Sequence, residues 1–130
     1  MLNITLAYRN IFTVLLLLAA ALAWAGGGPY NVLILVNSRS SESLEIGNLY
    51  RRARDIPYRQ VLTLDVPPSY SVSYQVYREH IEEPVRAYLN AQQLEDEITC
   101  IVLTRGVPQH VSVEKGRSVA GLLAAINLSK

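Results

Sequence analysis

A mixed α/β fold with a mainly parallel sheet is predicted by three apolar runs and the two segments between them. Val32 to Val36, Val61 to Val66 and Ile98 to Leu103 are short, rich in Val, Ile and Leu, and nearly continuous rather than alternating. Such runs belong to strands buried on both faces. The intervening segments carry helical periodicity, so the order reads βαβαβ. That alternation predicts a three-layer arrangement with right-handed crossovers.

The composition agrees with one folded domain. The chain has 130 residues, 50% of them hydrophobic and 18% charged, which suffices for a buried core. The first 25 residues stand apart. Arg9 lies in a short polar head, an apolar run follows from Ile11 to Ala25, and the small residues Ala23 and Ala25 precede Gly26 to Gly28. This is the layout of a secretory signal, and cleavage after Ala25 is expected. Retention as a membrane anchor is the alternative, but the apolar run is shorter than the ~20 residues that span a bilayer. Residues 26–29 then form a flexible joint, and 30–130 a single α/β domain that is exported to the periplasm, the envelope or the exterior.

The 12 basic residues less Arg9 equal the 11 acidic ones. The mature chain is therefore near neutral, and neither nucleic acid nor an anionic membrane is an expected partner. Arg51, Arg52 and Arg54, with Glu45 and Asp55 nearby, read as a solvated helix face. Cys100 is the single cysteine, which rules out an intrachain disulfide. Its place in the run "ITCIVLT" predicts a buried thiol acting as a small hydrophobe.

Ser40 or Ser41 is placed to cap the first helix, with Glu42 and Glu45 near its positive end, and the helix stops before Pro57. The second helix is predicted to start at Ser71 or Ser73. Its apolar positions Tyr74, Tyr77, Ile81, Val85 and Tyr88 recur at spacings of three and four, which makes a core-facing stripe. Pro84 removes a backbone donor inside this segment, so a kink or break is expected. Beyond Leu103 the sequence predicts a loop "TRGVPQH", a strand "VSV", a turn "EKGRS" and an apolar tail from Val119 to Lys130.

Open parallel sheets bind ligands outside the carboxyl ends of their strands. That rule selects Asn37-Ser38-Arg39-Ser40, Asp65 with Pro67-Pro68, and Thr104-Arg105-Gly106-Val107-Pro108. The candidate binding residues are Asn37, Ser38, Arg39, Asp65, Arg105 and His110, and the ligand they suit is small and anionic or polyhydroxylated. The amino end of the first helix would assist. In the competing reading Ser38 to Ser41 only cap the helix and Arg39 pairs with Asp65. Neither a GxGxxG fingerprint, a Walker loop nor a GxSxG elbow occurs, so no nucleotide cofactor and no serine-hydrolase site are expected. His80 and His110 stand at no metal-ligand spacing. His80, among Glu79, Glu82 and Glu83, reads as a surface residue.

The segments "GGGPYNVLILVNSRSSESLEIGNLYRRARDIPYRQVLTLDVP", "YREHIEEPVRAYL" and "IVLTRGVP" resemble, in order, the N-terminal part of a family of exported, uncharacterised bacterial proteins. The matching elements include Val36-Asn37-Ser38, Tyr50 to Arg54, Ile56-Pro57, Leu64-Asp65, Ile81 with Pro84, and Leu103 to Pro108. Members of that family continue past the position of Lys130, so the resemblance implies a copy truncated at its C-terminus. A weaker similarity links the element order to gingipain-type cysteine peptidases and their caspase-like fold, and implies an incomplete caspase-like or Rossmann-like domain. In those enzymes the catalytic histidine follows the third core strand beside a glycine, and the cysteine follows the fourth. Here the first place reads Arg105-Gly106 and the only cysteine lies within the third strand, so no peptidase residue carries over.

Two functions follow as expectations. The first is an exported domain that binds a small polar or anionic ligand, or a protein, at its strand ends. The second is the N-terminal portion of a hydrolase whose catalytic residues lie downstream, with Asp65, Arg105 and His110 forming part of a site. A third outcome, self-association through an exposed sheet edge, follows from a parallel sheet with few strands.

Overall fold

The computed structural model describes residues 27–113 and 116–126. The segment expected to be a secretory signal, part of the "EKGRS" turn and the last residues of the apolar tail lie outside the described residues. The order is β1 (Val32–Asn37), α1 (Ser41–Ala53), β2 (Val61–Leu64), β3 (Ser71–Ser73), α2 (Tyr74–Tyr77), α3 (Glu83–Ala91), β4 (Cys100–Leu103), β5 (His110–Ser112), β6 (Arg117–Ser118) and α4 (Val119–Ile126). A mixed α/β protein with a mainly parallel sheet is what the chain forms.

Strand β1 is the centre of the main sheet, whose order is β2-β1-β4. Both neighbours run parallel to it, with Ile34 opposite Val61 and Val102. From Leu33 to Asn37 every residue of β1 is buried. Its side chains alternate between two clusters, as a strand's period of two requires. Leu33 and Leu35 enter the larger cluster with Tyr77, Ile81, Val85 and Leu89, while Ile34 and Val36 join Ile56 in the smaller. Burial on both faces holds for β1 alone. The flanking strands are edges, and only Leu64 among their residues is fully buried.

The two flanking strands are shorter than the apolar runs that predict them. Strand β2 ends at Leu64 because Pro67 and Pro68 follow, and proline cannot donate to a ladder. Strand β4 begins at Cys100 because the Ile98 amide turns back to Leu94 O, at 3.0 Å. Cys100 is exposed, against the expectation of burial. It occupies the first position of an edge strand, and its register partner is Val32, itself only half-buried.

Ser40 caps α1, its Oγ accepting from the Ser43 amide. Only Ser43 and Gly47 of this helix are buried. A Cβ at Gly47 would overlap Val36 Cγ1, so the small pair one turn apart brings the helix backbone close onto β1.

The second helical segment departs from a single helix in two ways. Ser71–Ser73 is a strand, and Ser73 caps α2 through the Val76 amide. Between α2 and α3 the residues Arg78–Glu82 form a π-helical turn, in which the Glu83 amide reaches Arg78 O. Pro84 accounts for the widening. Its ring crowds the carbonyl four residues back and supplies no N–H, so the ladder steps to i−5. The stripe still reaches the core through Tyr77, Ile81 and Val85, but Tyr74 lies outside it, stacked on Tyr77 with ring centroids 6.2 Å apart.

A second small sheet was only partly anticipated. It pairs β3 with β5 in parallel and β5 with β6 antiparallel. The expected strand at 111–113 is shifted by one residue to His110–Ser112.

Candidate functional site

At the carboxyl end of β1 the buried polar groups form one connected network. The Asn37 amide donates to Ser43 Oγ at 2.8 Å, Ser43 Oγ lies 2.6 Å from Thr104 Oγ1, and Thr104 Oγ1 donates to Leu35 O at 2.9 Å. A hydroxyl carries one hydrogen. Thr104 spends its hydrogen on Leu35 O, so Ser43 must be the donor between the two hydroxyls. The chain therefore runs in one direction, from β1 through α1 to the end of β4 and back to β1.

Asn37 is fully buried, and its side chain does structural work. Its Nδ2 donates to Gly106 O at 2.7 Å, and its Oδ1 accepts from the Arg39 amide at 3.1 Å. It thereby fixes both the turn into α1 and the loop after β4. Gly106 has φ +99°, and a Cβ there would come within 2.8 Å of Ser40 Cβ. Glycine is required on both counts.

Arg39 and Asp65 form a two-pronged ion pair, Nε to Oδ1 at 2.5 Å and NH2 to Oδ2 at 3.1 Å. Hydrogen bonding and the guanidinium charge hold the Asp65 carboxyl below the usual aspartate range, and Ser38 Oγ adds a contact at 3.5 Å. The pair is exposed, so solvent screening limits its contribution to stability. His80 is half-buried rather than a plain surface residue, with Nδ1 3.0 Å from Asp65 O.

A separate cleft of about 320 Å³ is lined by Ser40 and Glu42 at the amino end of α1, by Ser69 and Tyr70, and by Arg105, Gly106 and Gln109. Arg105 NH1 meets Glu42 Oε1 at 3.0 Å, and both side chains are largely exposed. Tyr70 stands on His110, ring centroids 4.7 Å apart. The six candidates thus divide. Arg105 lines the cleft, His110 supports its aromatic wall, Asn37 holds its floor loop, and Ser38, Arg39 and Asp65 form a separate cluster on the same sheet edge.

Sequence reasoning passed over Glu42 as a partner of Arg105, and Ser43 and Thr104 as the buried network. It also passed over Tyr70 and Gln109 as cleft walls. The hydroxyls were legible as caps, but their mutual contact spans more than sixty positions. Tyr70 carried one usable signal, its place just after Pro67-Pro68 at a strand end. Among the described residues no group of three or more His, Cys, Asp or Glu side chains is arranged to hold a metal ion. No helix among them is long and apolar enough to cross a membrane.

Fold and edge define a parallel α/β protein with a polar cleft at its strand ends. No protein-family model, no curated protein and no solved structure matches the chain.

Proposed function

We propose that the chain is a binding module, exported by its N-terminal segment, that takes a small carboxylate- or phosphate-bearing ligand in the cleft beside Arg105. The observation that carries this is a guanidinium with a side chain 77% exposed, at the mouth of a cleft that also receives the amino end of α1. Arginine matches carboxylate and phosphate geometry through paired N–H donors. Ser40, Ser69 and Gln109 add hydrogen-bonding groups, and Tyr70 offers an apolar face. In this reading Glu42 occupies the anion's place when no ligand is bound. Two finer readings go with it: the clusters on either side of β1 support a three-layer arrangement, and the resemblance to exported bacterial proteins supports a larger parent domain.

Titration of the full chain with inorganic phosphate and with small dicarboxylates, followed through the Gly106 amide and Tyr70 ring resonances, tests the proposal. Glu42→Gln should tighten binding because it removes the competing carboxylate, and Arg105→Ala should abolish it. Resonances that stay still in the wild-type chain and in Glu42→Gln would overturn the reading.

A further inference from the structure

Building on Arg105 as the anion site, we propose that the cleft takes an acidic sugar, a single pyranose ring bearing a carboxylate or phosphate group. The acid group lies on Arg105, the flat face of the ring on Tyr70, and the hydroxyls reach Glu42 and Gln109.

Charge is the first observation. Among the described residues the charged side chains lining the cleft are Glu42 and Arg105, which sum to zero. A bare anion that displaces Glu42 from the guanidinium sets two negative groups side by side, and like charges at close range repel. A ligand that carries hydroxyls next to its acid group removes that conflict. Its hydroxyls donate to the displaced carboxylate, and a hydrogen bond to an ionised acceptor is stronger than one between neutral groups.

Tyr70 is the second observation. Its carbonyl accepts from the Gln109 and His110 amides at 3.0 and 3.1 Å, which pins the residue beside the start of β5. Its ring packs on His110 and the residue is still 67% exposed, so the cleft has a fixed aromatic wall with open surface. A pyranose presents a flat patch of C–H groups ringed by hydroxyls, and tyrosine matches it with an apolar ring and a polar tip. Pro68 adds apolar surface to the same cleft. Around the rim, the Gln109 side chain offers both a donor and an acceptor. Ser69 Oγ donates to Ser71 O at 2.9 Å and keeps a lone pair for a ligand hydroxyl. The volume of about 320 Å³ lies at the lower end of small-molecule sites, more than a phosphate ion fills.

Calorimetric titration of the full chain with glucuronate and with a glucose monophosphate tests this, with acetate, inorganic phosphate and glucose as the partial ligands. The acidic sugars should bind about tenfold more tightly than acetate or phosphate, and glucose should bind weakest. Tyr70→Ala should erase the preference for the ring while phosphate affinity stays unchanged, and Tyr70→Phe, which keeps the face, should retain it. Glu42→Gln should tighten phosphate yet narrow the preference, because an amide accepts from hydroxyls less strongly than a carboxylate. Equal affinity for acidic sugar and bare acid, or a preference that survives Tyr70→Ala, would overturn the sugar assignment and leave the anion site standing. Failure of every anion to bind would overturn both.

Discussion

At the scale of single residues, the Ser43 hydroxyl has the most to lose. Ser43→Ala strands the buried Asn37 amide and removes the donor to Thr104, and a buried unsatisfied polar group costs about 1–3 kcal/mol. Urea unfolding should register a loss of that size with the slope unchanged. Asp65 gives a second reading. Its folded pKa is lowered, so the pair with Arg39 stabilises above the ordinary aspartate pKa and is lost as pH falls through the lowered one. The carboxyl carbon of Asp65, followed by NMR, should titrate below about 3.9, and return toward it in Arg39→Ala. The pairing of these two residues was legible in the sequence, because adjacent parallel strands bring their ends together. Cys100 was not legible. An apolar run predicts a strand but not whether that strand has a neighbour on both sides.

Among the elements, α1 is held by little more than its small face. Gly47→Ala gains about 1 kcal/mol of helix propensity, yet its new methyl overlaps a β-branched side chain in a packed core, an insertion that costs about 1–3 kcal/mol. A net fall in melting temperature is expected. Leu44, Ile46 and Leu49 of the same helix remain exposed, so local opening there gives up little buried apolar area. Amide hydrogen exchange should accordingly be faster in α1 than in β1 or α3. The break at Pro84 was readable in advance from its missing donor. Its form, a π-helical turn, was not, because the core positions Tyr77, Ile81 and Val85 on either side decide whether the ladder breaks or widens.

Over the whole molecule, the parallel arrangement and the gathering of the strand ends on one edge were the most legible features, since the alternation of apolar runs with amphipathic segments dictates both. The second sheet was the least legible, because β3 and β6 are only three and two residues long and carry a single apolar residue between them, Val72. Their pairing depends on a partner supplied from elsewhere in the chain. The one-way chain of Asn37, Ser43, Thr104 and Leu35 also bears on how the cleft responds to its surroundings. None of its members ionises in water, so the wall behind the proposed site has no proton to gain or lose. Acid sensitivity in binding would then arise outside these four residues, and the network itself would act as a pH-silent frame.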